Sequence, residues 1–368
     1  MSRPYGSNDP PKAVSAENLV MRWLLIPFLA VALSARAEDQ PASAISREVK
    51  DIFDHCKRAV VKIHGADEHS ELSGTGFFID PTGTIYTAYS VGGEGSNFTI
   101  EFDGKRLPAR QLVTDVRSGI AILKVDAASP TLPIGKSENM EVTTPVIAIG
   151  YPLDLPETPS LGLVGGFDRK YLGYYFHTTH LRVNVATQRG EAGSPLLNMK
   201  GEVVGIVAFT LENNSSCYAL PIEAAEKIRS DFLRFGEVRH GWIGANLMQA
   251  LEAKAGSSAE VTEILDNTPA ANCGIHAGDI LLQVGRREIH QPDDIIDASF
   301  FISAGDTVPI TVMRGDERLT LNAQAEIHPT TEQVQRIQRL QHPLMIAQPS
   351  TIQPSLPLSL EKAPERTP

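Results

Sequence analysis

From Ala59 onward the apolar positions fall into short runs separated by Gly, Pro, Asn and Asp: Val60 to His64, Gly76 to Ile79, Phe98 to Phe102, Ile120 to Val125, Val146 to Ile149, Val183 to Ala186 and Val203 to Phe209. So many brief β-rich runs, with no long helical period between them, predict an all-β sandwich or a pair of barrels. The pattern changes at both ends of this region. Residues Ala44 to Arg58 place Ile45, Val49, Ile52 and Phe53 on one side of a helix, which predicts a short amphipathic helix ahead of the strands. Residues Ile222 to Phe235 return to helical spacing, with Ile222, Ala225, Ile228, Phe232 and Phe235 on one face, and are expected to close the β-rich domain.

The ends of the chain carry other signals. Met21-Arg22, the apolar run Trp23 to Leu33 and then Ser34-Ala35-Arg36-Ala37 have the order of a secretory signal peptide: charged, apolar, small at the cleavage site. The apolar run is well short of the roughly 20 residues that span a bilayer. Cleavage is therefore expected to leave an exported chain beginning at Glu38, with no membrane span. Beyond His328 a polar stretch gives way to Pro349, Pro354, Pro357, Pro364 and Pro368, a composition that predicts disorder. The expected division is an upstream extension and signal over 1–37, a helical segment over 38–58, a β-rich domain over 59–236, a second domain over 241–327 and a tail over 328–368.

Charge narrows the choice of partners. The 368 residues include 44 acidic and 33 basic side chains, a net charge of −11, and the basic ones form no stripe. Nucleic acid and anionic membrane surfaces are discounted on that ground. Cys56, Cys217 and Cys273 are far apart and odd in number, which favours buried free thiols over a disulfide scaffold. His177 and His180 form an H-x-x-H without a third ligand in reach, so no metal and no cofactor is assigned.

Four segments, in order, carry a family resemblance: Ser73-Gly74-Thr75-Gly76-Phe77-Phe78-Ile79-Asp80, Ile120 to Asp126, Val146 to Pro152, and Gly190 to Gly205. In the last, Gly190-Glu191-Ala192-Gly193-Ser194-Pro195-Leu196-Leu197-Asn198 and then Gly201-Glu202-Val203-Val204-Gly205-Ile206 resemble the GNSGGPLLN and GEVVGI block of HtrA (Deg, Do-like) serine proteases. The resemblance implies a mostly β fold: a chymotrypsin/trypsin-like double β-barrel, with a cleft between the barrels, followed by an α+β PDZ domain.

Chemistry in such a cleft needs a serine oxygen, an imidazole to take its proton and a carboxylate to orient the imidazole. By the same resemblance the base position is Ser90 in Thr87-Ala88-Tyr89-Ser90-Val91, and the carboxylate position is Gly119, just before Ile120. The nucleophile position is Ala192. None of the three side chains matches its role, so the chain is expected to be no enzyme but a pseudoprotease. Two departures sit beside them: Asn184 where the family has Asp, and Arg189 where it has Pro. The rival reading is an active serine endopeptidase with a rearranged site using Ser194 or Ser90.

In the second domain, Gly241-Trp242-Ile243-Gly244-Ala245 stands where HtrA proteins carry the carboxylate-binding loop of a PDZ domain, and Asn272 to Leu281 resembles the family's G-L-x-x-G-D-x-I turn. The resemblance implies that Trp242, Ile243, Gly244 and Ala245 receive a peptide C-terminus. A helix over Pro292 to Ser303 would flank the groove, with Ile296 and Phe300 either lining its pocket or belonging to the core. The implied partners are polypeptide C-termini or unfolded proteins in the bacterial periplasm, and an active HtrA relative beside which the chain would act as a regulatory subunit. The assembly implied is a homo-oligomer, trimeric in the family. A third reading is a structural oligomer component with a vacant groove.

Overall fold

A computed structural model of the chain describes residues 44–66, 71–93, 95–211 and 215–329, so the expected signal peptide and Pro-rich tail lie outside the described residues. Helix α1 (44–56) comes first. Its Ile52 and Cys56 are buried, with Cys56 against Gly201, while Ile45 stays exposed, so only the end of the helix has a partner surface.

Six strands then close into a barrel: β1 (Val60–Ala66), β2 (Glu71–Phe78), β3 (Thr84–Ala88), β4 (Ser96–Phe102), β5 (Lys105–Asp115) and β6 (Ile120–Val125). Their spatial order is β1-β2-β3-β6-β5-β4, and β1 pairs back with β4. Val61 and Ile63, alternate residues of β1, meet Phe78, Ile85, Ile100 and Leu123 in a core from which water is excluded. One helical turn, α2 (Tyr89–Gly92), follows β3.

A second barrel repeats the plan with β7 (Pro145–Gly150), β8 (Thr158–Tyr171), β9 (Tyr174–Val183), β10 (Pro195–Leu197), β11 (Val203–Thr210) and β12 (Cys217–Pro221), ordered β10-β11-β12-β9-β8-β7. Val146, Ala148, Leu181, Val183, Leu196 and Val204 fill it. Closing each sheet on itself removes the unpaired edges an open sheet would leave. Helix α3 (Ile222–Phe235) occupies the predicted residues. Ile222, Ala225 and Ile228 are buried, and Phe232 and Phe235 are half-buried.

The strands differ from the expected runs in three places. Val183 to Ala186 is strand only at Val183, after which the chain leaves the barrel. β5, Lys-Arg-Leu-Pro-Ala-Arg-Gln-Leu-Val-Thr-Asp, has five exposed residues and buries only Asp115 fully, so no apolar run marks it. The β8–β9 hairpin alternates polar and aromatic residues with glycine and reads as neither strand nor loop from sequence.

The chain divides into two units, one taking the residues up to Asp168 with His180–Glu226, the other Arg169–Thr179 with the residues from Lys227 onward. In the second unit β13 (Gly241–Trp242) is followed by β14 (Ala245–Lys254), β15 (Ser257–Ile264), helix α4 (Pro269–Cys273), β16 (Ile280–Val284), β17 (Arg287–Glu288), helix α5 (Asp294–Phe300), β18 (Thr307–Arg314), β19 (Glu317–Gln324) and β20 (Glu326–Ile327). The main antiparallel sheet runs β14-β15-β16-β18-β19, leaving β14 at an edge, and β13 pairs with β20. The Thr268 hydroxyl caps α4 by accepting the Ala271 amide. Ile243, Val261, Leu281, Ile310, Val312 and Ala323 form the core. The buried Asp279 carboxylate receives the His276 amide at 2.9 Å and both arms of Arg314 at 2.8 Å, which tie the turn before β16 to the end of β18.

Phe77 is fully buried and meets Tyr86 edge-on, with ring centroids 6.0 Å apart. Phe77→Ala is expected to lower the stability of the first unit by about 3–5 kcal/mol, read from the shift in its urea midpoint. A loss below about 1 kcal/mol would show that the barrel can collapse around the gap.

Candidate active-site cleft

The structure brings together Ser90, Gly119 and Ala192, the positions that the resemblance gives to the triad. Ser90, exposed on α2, and Ala192 line one cavity of about 280 Å³. Gly119 belongs to the same corner, since its carbonyl accepts the amide of Tyr89, the neighbour of Ser90, at 2.6 Å. These positions offer a hydroxyl, a bare main chain and a methyl group. A wider hollow of about 920 Å³ near Lys62, Tyr151 and Asp154 includes none of them.

The turn that presents Ala192 is fixed from both barrels. Thr75 on β2 is fully buried; its amide donates to Ala192 O at 2.9 Å and its hydroxyl to Gly190 O at 2.7 Å. The same hydroxyl accepts the Tyr151 amide at 3.1 Å, and the Thr87 hydroxyl donates to Thr75 O at 2.7 Å. Gly193 has φ +86°, and a Cβ there would run into Thr75 O and the Thr87 hydroxyl, so only glycine fits. Its amide donates to Val207 O at 2.7 Å.

Ser194 lies elsewhere. It is fully buried, its Oγ has no hydrogen-bond partner among the described residues, and that oxygen packs against Gly150 on β7, away from the cavity holding Ser90 and Ala192. Glu191, 3% exposed, accepts the Gln188 amide at 2.6 Å. Burial pushes its carboxyl above the ordinary range, and the Gln188 amide offsets this only in part. Burial likewise pushes the Cys217 thiol up to about 12, with Glu191 adding to the effect. Neither Thr75 nor Glu191 stands out in the sequence as a site residue, although the replacement of Asn by Glu inside the glycine turn is a visible signal.

The other predicted residues gather at the start of the second unit. Trp242 is half-buried, Ile243 is 3% exposed in the core, and Ala245 opens the edge strand β14. Ile243 O accepts the Ala270 amide at 2.7 Å and Gly244 O accepts the Leu265 amide at 3.2 Å, so both carbonyls are used inward. The amides of Ile243 and Gly244 donate to no main-chain carbonyl among the described residues. Gly244 has φ +79°, with Thr268 occupying the space a Cβ would need. On α5, Ile296 is half-buried, while Phe300 is 4% exposed and packs against the His240 ring, tilted 43° with centroids 5.3 Å apart.

Cys56, Cys217 and Cys273 are all free thiols. His180 packs edge-on to Tyr218, and no group of His, Cys, Asp and Glu among the described residues is arranged to hold a metal ion. No helix among the described residues is long and apolar enough to cross a membrane.

Comparison with known proteins follows the two units. Residues 74–206 match the trypsin-like peptidase domain family and residues 241–324 the PDZ domain family. A protein of Halomonas elongata named probable periplasmic serine endoprotease DegP-like is 30% identical over 269 residues, covering 69% of this chain and 56% of the relative. The chain thus spans about half the length of the DegP-like relatives it matches. Serine endoprotease DegS of Escherichia coli K12 is 28% identical over 298 residues, 74% of this chain and 84% of DegS. Among solved structures, the HtrA-type protease AlgW with tripeptide has a TM-score of 0.64 at 20% identity, covering 77% of this chain and 98% of that one. The serine endoprotease from Yersinia pestis gives 0.57 at 23% identity, covering 76% and 98%. At these identities the two structures speak for the fold.

These relatives correct one expectation. The chain was expected to be no enzyme, but the DegP-like and DegS relatives over the same stretch are named serine endoproteases, and the non-enzyme assignment conflicts with them. The physical reason is that the assignment rested on a single side chain at each of three positions, whereas the cleft, its glycine turn and both barrels are fully formed.

Two predictions follow from the geometry of the turn. Ser194→Ala removes a buried hydroxyl that has no partner, so it should leave stability unchanged or slightly raised. Any cleavage of denatured casein, read by mass spectrometry of the fragments, should be the same in Ser194→Ala as in the parent; cleavage lost on this substitution would place a nucleophile at Ser194. Glu191 has a raised carboxyl pKa, so the folded state holds its proton longer than the unfolded state does. The parent should therefore lose stability as pH rises from the ordinary carboxylate range through the raised value, and remain less stable above it. Denaturation of Glu191→Gln across that interval should lack this component, and parallel curves for the two proteins would refute the assignment.

Proposed function

The chain belongs to the HtrA/DegS family of trypsin-like proteases carrying a PDZ domain, and we propose that this protein captures polypeptides in the periplasm by their free C-terminus, through its second unit. The observation that carries this reading is the pair of amides at Ile243 and Gly244 that donate to no main-chain carbonyl among the described residues, beside β14 at the edge of its sheet. A carboxylate is the ligand such amides suit: it is charged, accepts several hydrogen bonds and needs no counter-cation when fixed N–H groups face it. The rest of the peptide then adds as a strand along β14, which supplies main-chain hydrogen bonds whatever the sequence. Trp242 and Ala245 flank the loop, and Ile296 with Phe300 shapes the pocket for the last side chain. The periplasmic setting is supported by the DegP-like relatives and by the signal-like segment over Met21 to Ala37. The assembly proposed with it is a homo-oligomer, trimeric as the resemblance implies.

Fluorescence anisotropy with labelled decapeptides ending in an apolar residue tests this, each peptide made as the free acid and as the C-terminal amide. Charge-assisted hydrogen bonds to the carboxylate are worth about 1.5–3 kcal/mol, so amidation should weaken binding roughly tenfold or more. Gly244→Ala should weaken the acid and leave the amide where it was. Equal affinity for acid and amide would overturn the reading.

A further inference from the structure

Arg189 differs from the other basic side chains around the first unit's cleft. Lys62 pairs with Asp154, and Arg106 and His64 share Glu101 at 3.0 and 2.9 Å. Arg189 is exposed, and no carboxylate among the described residues pairs with its guanidinium. Its main chain is held in place, because Arg189 O accepts the Leu153 amide at 2.7 Å and the next residue, Gly190, is clasped by Thr75.

Arg189 also stands where two cavities meet. It lines the 280 Å³ cavity containing Ser90 and Ala192, and equally a neighbouring cavity of about 600 Å³ that Leu72, Leu153 and Arg106 help to wall. The first cavity is bounded on another side by Val207–Thr210 of β11. There the strand has β12 on one side, while its pairing with β10 ends at Ile206, so Ala208–Thr210 present a main-chain edge. An extended polypeptide laid on that edge passes Ala192 and comes within the reach of Arg189.

We propose that Arg189 forms a subsite for a peptide carboxylate: an acidic side chain carried past Ala192 by an extended segment, which the guanidinium can grip through two parallel N–H donors. Glu71 and Asp154 also line the larger cavity, but Asp154 is committed to Lys62 and Glu71 forms no ion pair with Arg189, so a ligand carboxylate meets an uncommitted cation. The same chemistry could be supplied by the terminal carboxylate of a chain ending in the cleft. The inference rests on the reading of the protein as a polypeptide binder, but it concerns the other unit and a different charge.

The test uses the full chain and N-acetylated, C-amidated decapeptides of Ala, Val and Gln, in which one Glu replaces a Gln at each position in turn. Amidation removes the terminal carboxylate, so failure of C-terminal capture by the second unit cannot be mistaken for failure here. Exposed ion pairs are modest, so Glu at one position should bind about three- to fivefold more tightly than Gln there. Arg189→Gln should abolish that preference, Arg189→Lys should retain part of it, and Arg189→Glu should invert it towards a Lys-bearing peptide. The same peptides as free acids, bound to the Gly244→Ala chain, distinguish the two sources: a gain shown by the free acids alone and lost on adding Arg189→Gln assigns the subsite to chain ends. A preference unchanged in Arg189→Gln, or no Arg189-dependent gain with either the amidated or the free-acid peptides, would overturn the proposal.

Discussion

Thr75 holds the cleft together. It stands on β2 in the first barrel, yet its amide, hydroxyl and carbonyl are all engaged at the seam, by Ala192 O, Gly190 O, the Tyr151 amide and the Thr87 hydroxyl. Thr75 itself is fully buried, and a buried polar group left without a partner costs about 1–3 kcal/mol. The seam therefore cannot loosen one bond at a time without a penalty at each step. Its contacts on the turn are all to main-chain atoms, so the shape of the turn does not depend on the side chain at position 192. A methyl group can stand there while the cavity keeps its form.

That independence explains what sequence could and could not convey. The glycine turn was legible because Gly190 and Gly193 are fixed by backbone geometry, and such constraints leave a local signature. Helix α3 was legible for a similar reason: its apolar positions recur at the helical period and Ile222, Ala225 and Ile228 are buried together. Thr75 was not, since a threonine within Ser73-Gly74-Thr75-Gly76 looks like any strand residue until the turn 115 residues later is folded against it. β5 and the β8–β9 hairpin escaped because a barrel strand needs only one buried face, and in β5 that face, with Leu107 and Ala109, is only partly buried and is masked by five exposed residues, Pro108 among them. The non-enzyme reading failed differently. It treated three side chains as the whole of a site whose walls are built by other residues.

Charge counted along the sequence is equally blind to depth. Asp231, Asp279 and Asp294 in the second unit are each at most 3% exposed, and all three are met by donors: Lys227 and the Arg239 amide for Asp231, Arg314 and the His276 amide for Asp279, and the His290 amide with Arg169 for Asp294. Buried carboxylates of this kind hold turns and helix ends in place and do not address solvent. They count in the net charge of −11 as fully as a surface glutamate does. An acidic total is thus compatible with a cationic spot at the cleft: of the described carboxylates that share a cavity with Arg189, Asp154 is committed to Lys62 and Glu71 does not pair with Arg189.

The two units would then recognise carboxylates by unlike means. The loop at Ile243 and Gly244 offers amides whose positions are set by the fold, with Gly244 pinned against Thr268 and the carbonyls already bonded inward. Such donors need no rearrangement on binding, which favours strength and strict geometry over tolerance. Arg189 is a long, exposed side chain on a rigid main chain; it loses rotamer freedom when it binds, and salt screens it. Its grip is therefore weaker and more permissive. A chain end is a single, invariant group on every polypeptide, whereas acidic side chains occur at variable places along a segment. The rigid device suits the first and the flexible one suits the second.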